Sequence, residues 1–159
     1  MIKVGFGFDV HKLEAGNELW IGGVKIDSEK GSVGHSDGDV LIHAICDAIL
    51  GAANLRDIGY HFPDTDPKYK GIESKKLLAE VCKKLDETGY EINNIDSTVS
   101  LEKPKISGYI PDMIDILSET TGVDKSSISI KATTTEKLGF TGRQEGIAAY
   151  AVVLIHHKS

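Results

Sequence analysis

The chain has almost nothing to cross-link itself with. Its 159 residues include only two cysteines, Cys46 and Cys82. Both fall inside helical patterns, where a small buried thiol is the ordinary outcome. Two such residues build no disulfide framework and match no metal-ligand spacing, which predicts a reducing, cytoplasmic setting. Basic charge is also short, since 18 Lys and Arg against 24 Asp and Glu leave a net charge of −6. That balance excludes a nucleic-acid partner held by its phosphates, which needs a basic face. No apolar run approaches a membrane span, and strand-like alternation starts at Ile2, leaving no room for a signal peptide before it. Repeats, low-complexity tracts and linker-like boundaries are missing too. Residues 1–159 are therefore expected to form a single domain, long enough to bury a core without staples.

What is present is organised around Gly34-His35-Ser36-Asp37-Gly38-Asp39-Val40-Leu41-Ile42-His43. A Gly- and Asp-rich loop carrying a histidine runs into a helical pattern from about Asp39 to Ala53. Val40, Leu41, Ala44, Ile45, Ala48, Ile49 and Ala52 make its buried face. His35, Asp39, His43 and Asp47 recur at four-residue spacing, which places the last three on a separate, polar face. Ser36-x-x-Asp39 fits a capping box with Asp in place of Glu, so part of this pattern is explained by capping alone. Two histidines at a loop-to-helix junction exceed what capping requires. A helix N-terminus also offers free N–H groups to an anion. His43 is therefore a candidate metal ligand, and His35 with Ser36 a candidate phosphate pocket.

The first eleven residues alternate as a strand. Ile2, Val4, Phe6, Phe8 and Val10 take one face, and Lys3, Gly5, Gly7, Asp9 and His11 the other. Asp9 and His11 then point the same way, about 6.6 Å apart along the strand, close enough to chelate one ion. Gly5-x-Gly7 lacks the third glycine and the helix opening of a dinucleotide fingerprint. Leu19 to Ile26, interrupted by Gly22-Gly23, reads as a hairpin followed by a turn near Glu29 to Gly31. Residues 54–72 form a long polar connection. Ser74 to Thr88 is an amphipathic helix, with Leu77, Leu78, Val81 and Leu85 inward and Gly89 ending it. A strand from about Ile95 to Leu101 is broken by Lys103-Pro104-Lys105. Pro111 sits near the start of a third helix that Gly122 closes. A strand around Ile128 to Ala132 and an almost wholly apolar one from Ile147 to Ile155 complete the chain. The pattern predicts an α+β fold, a mixed β-sheet covered by helices on one side with a β-α-β-α-β-β core.

Asp9, His11 and His43 supply one carboxylate and two imidazoles, the composition of a catalytic zinc site with an open fourth position. Spacing alone leaves open whether His43 meets the other two or whether Asp9-x-His11 merely closes a turn. Thr133-Thr134-Thr135-Glu136-Lys137 offers hydroxyls for phosphate oxygens and a carboxylate for a second, hard cation. The same run also reads as a β-rich threonine stretch with a helix cap. Lys103-Pro104-Lys105 alone favours a solvated turn over a phosphate clamp, and Phe62-Pro63-Asp64-Thr65-Asp66 reads as a lid or as a loop.

Taken together these segments form an ordered set: Asp9-Val10-His11; His35 to Asp39 with His43; Asp57-Ile58-Gly59; Phe62 to Asp66; Pro104-Lys105; and Lys131-Ala132-Thr133-Thr134-Thr135-Glu136-Lys137-Leu138-Gly139-Phe140-Thr141-Gly142-Arg143. In this the chain resembles the 2-C-methyl-D-erythritol 2,4-cyclodiphosphate synthase family of the non-mevalonate isoprenoid pathway, over essentially its whole length. The resemblance implies a lyase. Its substrate would be 4-diphosphocytidyl-2-C-methyl-D-erythritol 2-phosphate, released as the cyclic diphosphate and CMP. It implies one Zn²⁺ per chain on Asp9, His11 and His43, and Mg²⁺ or Mn²⁺ on Glu136 bridging the substrate diphosphate. His35 and Thr134 would steady charge in the transition state. Ser36, Asp57, Ile58, Gly59, Phe62, Pro63, Asp64, Thr65 and Asp66 correspond to the methylerythritol side. Leu101, Glu102, Lys103, Pro104, Lys105, Thr133 and Thr135 correspond to the cytidine-diphosphate side, with Phe140 and Arg143 among the substrate-binding positions. Leu101 stands where the family often has a small residue.

The family assembles as a homotrimer with active sites between subunits. Phe8, Arg143 and Glu145 match positions around an axial cavity that can hold an isoprenoid diphosphate. Two rivals remain at this stage: a metal-dependent nucleotide diphosphatase using water, and a non-enzymatic trimer that binds isoprenoid diphosphates.

Overall fold

A computed structural model describes residues 1–159. Strand β1 runs Ile2–Ala15, longer than the alternation to His11 suggested, because its last residues pair with a short edge strand, β4 (Lys30–Ser32). Between them, β2 (Leu19–Ile21) and β3 (Val24–Ile26) form the expected hairpin as a separate two-stranded ribbon. Helix α1 (Val40–Ala52) follows, then a single helical turn α2 (Ile58–His61), helix α3 (Ser74–Glu87) and strand β5 (Tyr90–Ser100). Helix α4 (Ile110–Thr121) leads to β6 (Ile128–Thr133), and a turn of helix α5 (Gly139–Gly142) precedes β7 (Gly146–His157).

The main sheet is mixed, in the order β4-β1-β7-β5-β6. Only β5 and β6 are parallel, joined by α4 as their crossover, since parallel neighbours need a long connection. Strand β5 begins at Tyr90, before the expected Ile95, and carries an irregularity between Ile92 and Asn94. Helix α4 has Pro111 in its first turn and ends on Gly122 with φ +76°, a left-handed position that suits glycine.

Helices α1, α3 and α4 cover one face of the sheet. Helix α1 is apolar almost all round, with Leu41, Ile42, Ile45 and Ile49 fully buried, as expected of a central helix. Its contact with β1 is backbone to backbone. A Cβ on Gly5 would lie 1.8 Å from the Ala48 carbonyl oxygen, and one on Gly7 1.8 Å from that of Ala44. Two residues of strand advance about 6.6 Å and four of helix about 6 Å, so the two elements stay in step.

The start of α1 differs from the capping box read from sequence. Asp39 is itself the N-cap, accepting from Ile42 N at 3.0 Å. The same carboxylate accepts from Gly22 N at 2.9 Å and Gly23 N at 2.7 Å, tying the hairpin turn to the helix. Asp39 is thus fully buried and turned away from His43 and Asp47, not aligned with them on one polar face. Burial raises its pKa to about 6 against the pull of those three N–H donors.

The other face of the sheet is uncovered, and its β1–β7 half is apolar. Ile2, Val4 and Phe6 are each more than 60% exposed, with Phe8, Tyr150 and Val152 beside them.

Gly7→Ala is expected to destabilise the fold by about 3 kcal/mol or more, because backbone, not a movable side chain, fills the space. Gly51→Ala, on α1 with nothing within 4 Å of the added carbon, should instead stabilise by about 1 kcal/mol. Denaturant melts of both variants check the pair.

Candidate metal centre and adjoining cavities

The strand-to-helix contact that passes Gly5 and Gly7 arrives next at Asp9 and His11, and there α1 presents His43. Asp9 Oδ2 lies 2.8 Å from His11 Nε2 and 3.1 Å from His43 Nδ1. His11 Nε2 and His43 Nδ1 are 3.2 Å apart. One donor atom from each residue thus falls within 4.8 Å of the other two. The contact that spacing could not show is made by the fold.

The outward ring nitrogens are also engaged. His11 Nδ1 donates to the Val33 carbonyl at 3.0 Å, which leaves Nε2 as the inward donor atom. His43 Nε2 faces Ser74 Oγ at 2.8 Å and Ser36 Oγ at 3.3 Å. One carboxylate and two oriented imidazoles, with outer hydrogen bonds on both rings, fit a zinc ion.

Burial works to raise the Asp9 pKa, but hydrogen bonds and positive charge from His11 and His43 prevail and bring it down to about 2. For His11, burial pulls the pKa down, and the hydrogen bond and charge of Asp9 outweigh it and raise it above its usual 6.5.

The triad faces a cavity of about 390 Å³. Of the residues expected around it, His35, Ser36, Ile58, Gly59, Phe62 and Asp64 line it; Gly34, Tyr69, Ile72 and Leu77 also do and were not anticipated. His35 Nε2 is buried in this region without a hydrogen-bond partner. Asp57 and Asp66 serve instead as local caps, accepting from Tyr60 N and Lys68 N at 2.9 Å each. Pro63 and Thr65 do not reach the wall. The helix terminus offers no open anion cradle at Ile42 N, because Asp39 closes it. A roomier cleft of about 560 Å³ lies beyond Ser36 and Asp37, beside Trp20 and Glu73. It holds none of the triad, so the smaller cavity is the site.

A separate cavity of about 190 Å³ collects Leu101, Glu102, Pro104, Lys105, Thr133 and Thr134, with Ile106, Ser107 and Ala132 added by the fold. It shares no residue with the metal-side cavity. Glu102 turns from this wall to accept from Thr135 N at 3.3 Å and Lys137 N at 3.1 Å, clamping the loop after β6. Glu136 is exposed in that loop with φ +54° and lines neither cavity. Lys103 faces a third space beside Lys30 and Gln144. Phe140 packs over Gly146, Arg143 Nε donates to Glu145 at 2.8 Å, and Phe8 stacks on Tyr150 with centroids 5.0 Å apart. Phe8, Phe140, Arg143 and Glu145 lie outside both cavities.

Sequence reasoning missed Ser74 and Asp37 behind His43. Ser74 reads as an ordinary helix start and Asp37 as an acid that favours the nearby start of α1, so only the tertiary approach of α3 reveals them.

The YgbB family profile matches residues 2–156. A 2-C-methyl-D-erythritol 2,4-cyclodiphosphate synthase from Bacteroides fragilis is 62% identical over 155 residues, 98% of each chain. Its counterpart from Porphyromonas gingivalis is 63% identical over 153 residues, 96% of this chain and 94% of the relative. Among solved structures, the bifunctional IspDF of Campylobacter jejuni superimposes with TM-score 0.95 at 44% identity, over 99% of this chain but 42% of that longer one. A Plasmodium falciparum IspF in complex with CDP gives TM-score 0.88 at 35% identity, over 99% and 97% of the two chains.

The two pKa shifts fix a pH window for metal-free protein. Asp9 is depressed, so its stabilisation is present above the ordinary 3.8 and lost as pH falls toward about 2. His11 is raised, so its share is complete below 6.5 and lost as pH rises through the folded value. The stability gap between chelated wild type and Asp9→Asn should therefore be widest between pH 3.8 and 6.5. Denaturant melts across pH should show it narrowing above that window; a gap that keeps widening toward alkaline pH would contradict the pairing.

Proposed function

The chain belongs to the YgbB family and forms a cyclodiphosphate in isoprenoid biosynthesis, and on that premise we propose how its own residues carry the reaction. The substrate is 4-diphosphocytidyl-2-C-methyl-D-erythritol 2-phosphate. Its 2-phosphate attacks its own β-phosphate, and CMP leaves. The observation that carries this reading is the Asp9–His11–His43 triad opening into the cavity walled by His35, whose Nε2 is buried and unpartnered.

Asp9, His11 and His43 would hold Zn²⁺, which supplies Lewis-acid polarisation of a phosphate oxygen. The Glu136 carboxylate would contribute to a Mg²⁺ or Mn²⁺ site completed mainly by substrate phosphates, as hard cations prefer. His35 donates toward the attacking phosphate group, and Ser36 hydrogen-bonds the same end of the substrate. Ile58, Gly59 and Phe62 enclose the methylerythritol part and exclude water from it. On the other side, Thr134 steadies charge on the diphosphate, while Lys105 and the backbone from Leu101 to Pro104 receive the nucleotide. No covalent protein intermediate is involved; catalysis is positioning and charge neutralisation.

The separation of the two cavities supports a site completed by a second chain, in a homotrimer. The uncovered apolar face of β1 and β7 supplies a surface such an assembly would bury, since contiguous exposed apolar side chains mark interfaces. Phe8, Arg143 and Glu145 would then approach the threefold axis, where an isoprenoid diphosphate could sit. Arg143 is already paired with Glu145, so an anionic head group has to compete for it. The fold has no helix long and apolar enough to cross a membrane; we place the enzyme in the cytoplasm.

Mixed trimers of His11→Ala and Thr134→Ala chains should regain activity that neither variant has alone, because some interfaces then pair two intact halves. Complete failure of co-expressed chains to recover turnover would remove the shared-site arrangement. The nucleophile has its own test. Turnover in oxygen-18 water should give unlabelled CMP and unlabelled cyclic product, and substrate lacking the 2-phosphate should release almost no CMP. Heavy oxygen in the terminal phosphate of that truncated product would assign the site to a diphosphatase instead.

A further inference from the structure

His43 is held from behind as well as from the front. Ser74, the first residue of α3, is fully buried, and its Oγ lies 2.8 Å from His43 Nε2. Asp37 reaches the same serine with both carboxylate oxygens, one accepting from Ser74 N at 2.8 Å and the other from the Ser74 hydroxyl. Asp37 Oδ1 also accepts from Asp39 N at 3.1 Å, which fixes the carboxylate from a second direction.

Proton counting along this chain leaves one arrangement. A carboxylate only accepts and a serine hydroxyl has a single proton. With that proton donated to Asp37, Ser74 Oγ can only accept from the histidine. His43 must then carry a proton on Nε2, which in the neutral ring turns the Nδ1 lone pair toward Asp9 and His11. Ser36 Oγ, at 3.3 Å from the same nitrogen, is the poorer partner and is already bonded to Gly38 N.

We infer that Asp37 and Ser74 are positioning residues that lock His43 in the Nε2-protonated tautomer and so preset its Nδ1 as a metal ligand. This rests on the metal centre proposed above and deepens it, because neither residue touches the substrate cavity's metal donors directly except through His43. The device couples the start of α3 to the loop before α1. Closure of residues 34–39 against α3 and orientation of the ligand ring are one structural event. Outer-shell partners of ligating histidines typically matter by about 10–100-fold in metal affinity.

The test uses the full-length protein and reads the ring and the metal separately. In chelated wild type, nitrogen-15 NMR of the neutral histidine rings should show the His43 proton on Nε2. A proton on Nδ1 overturns the inference without any variant being made. Zinc affinity, measured by competition with a chromophoric chelator, should fall by about 10–100-fold in Ser74→Ala, which keeps the backbone donor to Asp37 and loses only the hydroxyl. Ser74→Thr, which restores a hydroxyl, should recover most of that loss. Wild-type affinity in Ser74→Ala overturns the inference even if the fold is unchanged. A wild type that binds no zinc overturns the proposed metal centre instead, while the tautomer measurement still decides the role of Ser74.

Discussion

Everything in this molecule depends on how closely α1 lies on β1. With no side chain at Gly5 or Gly7, the helix carbonyls of Ala48 and Ala44 occupy the space where Cβ atoms would stand. A contact this short leaves no play along the strand, because sliding the helix by a residue would drive a carbonyl into the pleat. Interiors packed at crystal-like density transmit such constraints over several residues. The next two inward positions of the strand are Asp9 and His11, and the next inward side chain of the helix toward its start is His43. Glycine pairs and metal donors are thus successive rungs of one ladder, and the first two rungs set the spacing of the last.

The same strand has a second task on its other side. Each residue that faces away from α1 between Ile2 and Val10 is a large hydrophobe, and all five are exposed in the single chain. On the neighbouring strands that face turns polar: Asp96 pairs with Lys131 across β5 and β6 at 2.7 Å. The outward surface therefore has an apolar half near β1 and a charged half near β6, an anisotropy that favours one mode of association over many. The net negative charge of the chain does not oppose a phosphate-rich substrate locally, since Lys105 and the proposed metals bring positive charge to the two cavities and His35 brings a ring N–H.

Much of this was legible from residue order. The period-two alternation at the start of the chain put Asp9 and His11 on one face, and the four-residue spacing in α1 gave its buried stripe. Gly122 and Pro111 bounded α4 as their backbone preferences require. The gaps have physical causes. Asp39 reads as the acidic end of a capping box opened by Ser36, because an aspartate is at home both at a cap and inside the first turn. Only the hairpin turn at Gly22 and Gly23 shows why it is buried. Gly5-x-Gly7 does not say what lies against it, and a helix from later in the chain fills the space. The lid read as one unit of substrate-binding residues divides in the fold, with Phe62 and Asp64 on the wall and Asp66 capping a short turn. Ser74 carried no signal, since its partner Asp37 is 37 positions away.

The register of the sheet has a consequence for how this fold can be combined with others. Strands β1 and β7 are neighbours, Ile2 pairs with His156, and His157 N donates to the Met1 carbonyl at 3.2 Å. The two ends of the polypeptide thus emerge side by side, seven residues of strand from Asp9 and far from the cavities. A fold with this arrangement tolerates circular permutation and attachment of a second domain at either end, because neither disturbs the core. Adding a domain at either end is accordingly a small structural step.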